Sequence, residues 1–142
     1  MSDLLAAEEA VLAANERFYQ AFESLDIKEM ERVWRTDGQV QCVHPGWESL
    51  SGWPDVRDSW VRIFNHVSTM RFTPRILHVA VNGAVAWVVC VEEIETRRGD
   101  HEQLGQVLAT NIFELYQGRW LVVHHHGSPI FRAGGEGEPE QA

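Results

Sequence analysis

Apolar positions in the first part of the chain recur with a helical period. Leu4, Val11, Phe18, Phe22 and Leu25 fall at spacings of 7, 7, 4 and 3, flanked by Leu5, Leu12 and Tyr19. That pattern predicts one long amphipathic helix over residues 4–25, with Ser2 or Asp3 able to cap its start. Asp26 opens a second helix, with Glu29 three residues on at capping-box spacing. Ile27, Met30, Val33 and Trp34 form its apolar face, and Asp37-Gly38 ends it. Val40 to His44 reads as a short strand, broken by Pro45-Gly46. A third helix starts at Pro54, a residue suited to the first helical turn, and buries Val56, Trp60, Ile63, Phe64 and Val67. Beyond residue 68 the period becomes that of strands. Segments 71–81 and 84–95 are joined by Asn82-Gly83, a type I′ hairpin signal. Arg98-Gly99-Asp100 leads into a strand over 102–116, and Gln117-Gly118 into another over 119–126. Three helices followed by a long meander predict an α+β fold, with the helices on one face of a curved, mainly antiparallel sheet.

A chain of 142 residues with 44% hydrophobic and 23% charged residues is one globular domain's worth. The last ten residues hold three Gly, three Glu and one Pro, so the domain is expected over 1–132 and an acidic flexible tail over 133–142. The net charge of −9 would repel a phosphate backbone, which argues against nucleic acid as partner. No run approaches the roughly 18 apolar residues of a membrane span. Met1-Ser2-Asp3 lacks the layout of a signal peptide, and the cytoplasm is the expected location. Cys42 and Cys90 lie in apolar strand runs and read as buried thiols in a reducing compartment.

Both faces of the sheet carry apolar residues. On the closing strand Trp120, Val122, His124 and His126 share one face, and Leu121, Val123 and His125 the other. Likewise Ala109, Asn111 and Phe113 alternate with Thr110, Ile112 and Glu114. Helices can cover only one face, so a homodimer through the outer face is expected, with Ile112, Leu121 and Val123 as contacts.

Three helices, a strand ending in His44-Pro45-Gly46, and hairpins closing on Gly118, Trp120, His124, His126 and Ser128 resemble the NTF2-like superfamily. Within it the chain is most similar to SnoaL-like proteins, and its closing strand to the association domain of calcium/calmodulin-dependent kinases. The resemblance implies a cone that holds a pocket. Ketosteroid isomerases share this fold and carry a base carboxylate just before the proline that ends the same strand. Aligned on Pro45, that place is His44, an imidazole able to act as general base or acid. Aligned on Phe113, Asn111 takes the place of the isomerases' oxyanion-hole acid, as a permanent amide donor. Their second donor, a tyrosine on the first helix, corresponds to Phe18, with Tyr19 one residue later.

The expected pocket joins His44, Asn111, His124 and His126, with Phe18, Tyr19, Phe22, Trp34, Trp60 and Phe113 as walls. Trp47 and Trp53, in the loop beside the cone's mouth, read as a lid over an apolar ligand or as packing onto the third helix. Glu92, Glu93 and Glu95 end a hairpin strand and read mainly as a solvated edge; only one of Glu92 and Glu93 can point into the cone, and alternation alone leaves open which. His44, His124 and His126 also suggest a three-imidazole metal site, but no carboxylate is placed to support it, and no metal or other cofactor is expected. Three functions therefore stand side by side. They are a small-molecule-binding protein with an aromatic, His-lined pocket, an isomerase, cyclase or dehydratase using His44 and Asn111, and an oligomeric assembly module. The expected partners are a small apolar or aromatic ligand and a second copy of the chain, with neither nucleic acid nor membrane.

Overall fold

The computed structural model describes residues 2–131; the expected tail over 133–142 and the boundary at 132 lie outside the described residues. The elements follow the order α1 (Ser2–Ser24), α2 (Ile27–Val33), β1 (Gln41–Val43), β2 (Leu50–Ser51), α3 (Trp53–Phe64), β3 (Thr69–Asn82), β4 (Val85–Arg98), β5 (His101–Tyr116) and β6 (Arg119–Pro129). The strands make one six-stranded sheet in the order β2-β1-β6-β5-β4-β3. Strand β1 runs parallel to β6, and every other pairing is antiparallel. The three helices and this mostly antiparallel sheet form the α+β cone expected from the sequence.

Local chemistry explains the joints. The Asp26 side chain accepts from the Lys28 backbone N–H at 2.9 Å and caps α2. Glu29 does not close the expected capping box: the Asp26 N–H donates to Ser24 Oγ instead, and Glu29 pairs with Arg32. Pro54 sits in the first turn of α3, where a missing N–H costs nothing. In the β3–β4 hairpin Asn82 pairs with Val85, so the loop is Gly83-Ala84. Only Gly83 takes a positive φ there, 63°, which is the type II′ pattern rather than the expected I′. The two-residue strand β2, too short for periodicity to register, pairs with β1 and leads into α3.

A bulge in β6 corrects the expected strand faces. Phe113 pairs with Val122, but Ile112 pairs with His124, so Val123 is an extra residue in the strand. One extra residue reverses which side chains point inward beyond it. His125, 1% exposed, therefore faces the interior beside Asn111. His124 and His126 turn to the outer face, where His124 Nδ1 lies 3.3 Å from Gln41 Oε1. The sequence expectation that these two line the pocket is overturned for this reason.

The core lies between the helices and the inner sheet face. Phe18, Trp34, Trp60 and Phe113 are among its most deeply buried side chains, with Phe22 and Phe72 packed beside them. Phe22 meets Phe72 at 4.2 Å and Trp60 at 4.6 Å between ring centroids, distances of close aromatic packing.

Candidate functional site

The polar residues that break this aromatic interior come from five elements and the loop after β1. On α1, Asn15 and Tyr19 lie in the buried stripe that also carries Val11, Phe18 and Phe22. Strand β4 sends in Cys90 and Glu92, β5 sends in Asn111, and β6 sends in His125. His44 follows β1, and Ser59 projects from α3 next to Trp60. Glu92 is 2% exposed and Asn111 fully buried, so these groups have no bulk water to satisfy them.

Hydrogen bonds among them fix donor and acceptor roles. Asn111 Nδ2 donates to Asn15 Oδ1 at 2.9 Å and to Tyr19 Oη at 3.1 Å. The Tyr19 hydroxyl donates to Glu92 Oε2 at 2.6 Å. Asn111 Oδ1, an acceptor only, lies 2.6 Å from His125 Nδ1, which must therefore carry a proton. Neutral His125 then has its basic lone pair on Nε2, which lies 4.0 Å from Glu92 Oε2. The result is a nearly closed ring of four side chains. A second, smaller arrangement holds His44. Ser59 Oγ donates to the Val56 carbonyl at 2.6 Å, so its oxygen accepts the His44 Nε2–H at 2.9 Å.

Burial shifts the titration of each group away from charge. It pushes the Glu92 carboxyl up to about 7, against the opposing pull of the Tyr19 hydrogen bond. It holds His125 well below the usual histidine range, helped by neighbouring His44, His124 and His126. His44 is lowered to about 4 by burial, so it is neutral and weakly basic at neutral pH. Tyr19 is raised by burial and then by Glu92 and Cys90, which keeps it a donor. The Cys90 thiol is pushed up to about 11 by burial, and that of Cys42 still further.

His44, Asn111, Phe18, Tyr19, Phe22, Trp34, Trp60 and Phe113 all lie on the inner side. His44 stacks edge-on against Trp60 and Trp47 at 4.7 and 4.9 Å between centroids. Trp47 and Trp53 are half-buried; Trp47 lies under the Arg62 guanidinium and Trp53 beside Trp34. The expected solvated edge holds for Glu93 and Glu95, which are exposed, but not for Glu92, which points inward because it shares the parity of the buried Val88 and Cys90. His44 and the pair His124 and His126 lie on opposite faces of the sheet, so the three-imidazole arrangement does not form. Sequence reasoning missed His125 and Asn15. The bulge hid the first, whereas the second sits 4 residues after Val11 and 3 before Phe18, in register with the apolar stripe. A surface cleft of about 530 Å³ between the end of α1 and the start of β3, lined by Glu23, Leu25, Met70, Arg71 and Arg97 among others, shares none of these residues.

A family model described as a SnoaL-like domain matches residues 11–132. The chain belongs to the SnoaL-like family. Among solved structures, this SnoaL-like domain is similar to a provisionally assigned dehydratase of the NTF2-like family from Streptomyces avermitilis. The two are 34% identical with a TM-score of 0.84, over 89% of this chain and 98% of that one. It is also similar to a provisionally assigned calcium/calmodulin-dependent protein kinase type II association domain from Thiobacillus denitrificans, at 28% identity and TM-score 0.73, covering 84% and 94% of the two chains. A curated relative, the F-box protein SKIP8 of Arabidopsis thaliana, is 29% identical over 123 residues. That match takes in 87% of the SnoaL-like domain and 51% of the relative, so the chain spans about half the relative's length.

Proposed function

We propose that this SnoaL-like domain binds a small, largely apolar molecule and moves a proton on it, in the manner of an isomerase or dehydratase. The observation that carries this reading is the Glu92–His125 pair. Glu92 is an acid that still holds its proton near neutrality, and His125 is a neutral base with its free nitrogen 4.0 Å away. Burial raises the proton affinity of Glu92 and lowers that of His125, which reverses their ordinary order and makes the carboxyl the acid and the imidazole the base. Tyr19 and Asn111 hold the pair in place, Tyr19 by its hydrogen bond to Glu92 and Asn111 by accepting the His125 Nδ1–H. His44, neutral and tied to Ser59, takes a supporting place in this reading rather than that of general base. The indole N–H groups of Trp34 and Trp60 are buried and find no partner among the described residues, and a ligand oxygen would satisfy such donors. The likeness to the Streptomyces protein agrees with the dehydratase class.

Binding without chemistry is the second reading, favoured by the closely packed aromatic walls. Deuterium exchange separates the two without a known product. A panel of uncharged aromatic and alicyclic ketones is incubated with the protein in D2O, and deuterium at carbon is read by mass spectrometry. Proton transfer predicts incorporation into at least one compound, lowered by about a hundredfold or more in Glu92→Gln. Compounds that bind but show no exchange in any case would leave only the binding function.

The reading also includes a homodimer through the outer sheet face. Leu104 and Leu108 are 58% and 40% exposed on the outward side of β5, in the same strand as the half-buried Ile112. No helix among the described residues is long and apolar enough to cross a membrane. Free, buried Cys42 and Cys90 agree with a reducing, cytoplasmic setting.

A further inference from the structure

We propose that Asn15 is a positioning residue: by fixing which way the Asn111 amide faces, it sets the tautomer of His125 and turns that ring's basic nitrogen toward Glu92. A side-chain amide offers an acceptor on one side and donors on the other, and a half-turn exchanges them. Asn15 Oδ1 is an acceptor only, so the Asn111 group 2.9 Å from it is the NH2. That places Asn111 Oδ1 toward His125, where it can only accept, and the imidazole must carry its proton on Nδ1. Asn15 is itself 1% exposed, with the Cys90 thiol beside its amide, so no bulk water competes for it. Tyr19 agrees with this direction, because its hydrogen goes to Glu92 and its oxygen is left to accept from Asn111. With the Asn111 amide reversed, His125 Nδ1 would face a donor. The proton would then move to Nε2, on the side facing Glu92, and the pair would lose its base. Among the described residues Asn15 hydrogen-bonds neither His125 nor Glu92. Its effect passes through Asn111.

This inference rests on the proton-transfer reading of the Glu92–His125 pair, but the tautomer can be measured without a substrate. Long-range proton–nitrogen correlation spectra of the 15N-labelled protein, in neutral buffer, report which ring nitrogen of His125 is protonated. The expected result is Nδ1–H in the unaltered protein and a shift toward Nε2–H in Asn15→Leu. Asn15→Asp, which keeps an acceptor at the same place, should restore Nδ1–H. Should Asn15→Leu not fold, Asn15→Ala, which only removes atoms, carries the same comparison. An Nε2–H signal in the unaltered protein would overturn the proposal, as would an unchanged tautomer in the Leu or Ala variant. A negative deuterium-exchange result leaves this tautomer outcome untouched, so the two readings fail separately.

Discussion

A carboxyl group held away from water makes folding depend on pH in a definite direction. Glu92 keeps its proton up to about 7 in the folded protein, from an ordinary value of 4.5. Between those values the folded state binds the proton and the unfolded state has lost it, so stability falls as pH rises through this window. Above it the penalty is complete, on the order of 3 kcal/mol. Glu92→Gln removes the ionisation while keeping the shape. The variant should therefore gain stability over the unaltered protein between about pH 5 and pH 8, as seen in urea unfolding at the two values. His44 works in the opposite sense. Its folded value of about 4 lies below the ordinary 6.5, so protonation favours the unfolded state and stability falls as pH drops through that interval. His44→Gln should flatten this acid limb of the same unfolding curves.

At the scale of elements, β6 and the loop after β1 meet where His44 is held. A Cβ on Gly127 would lie 2.9 Å from Val107 Cγ1 and 3.3 Å from Pro45 Cγ. Gly127→Ala should therefore displace the Val107 side chain, press on the Pro45 ring beside His44 and cost about 1–3 kcal/mol, visible as a lower melting temperature. The helices were legible from periodicity because each buries one apolar stripe, and the hairpins from the Gly-containing turns that divide the strand runs. Tyr19 shows how far that reading reaches: its place on the inward face of α1 follows from helical spacing alone. The inward histidine was not legible. Alternation from Trp120 leads to His124, and only the pairing of Ile112 with His124 shows that Val123 has been inserted. Glu92 and Glu93 were equally undecided, because Ala86, Val88 and Cys90 and their neighbours Trp87, Val89 and Val91 are all apolar. The parity of β4 is set by its register against β5, which the sequence does not print.

For the whole molecule, the sheet is apolar on both faces while its helices shield one. The proposed homodimer would bury the other, and a charge at its centre should prevent association. Ile112→Asp is expected to give a monomer by light scattering at micromolar concentration, against a dimer for the unaltered chain. A monomer for both would remove the dimer from the account, while the interior site would stand. That site depends on a single claim, that the cone encloses a carboxyl poised to exchange its proton near neutrality. A 13C NMR titration of the Glu92 carboxyl carbon, assigned through Glu92→Gln, measures it directly. The account predicts a midpoint close to 7; titration at the ordinary carboxylate value near 4.5 would contradict it.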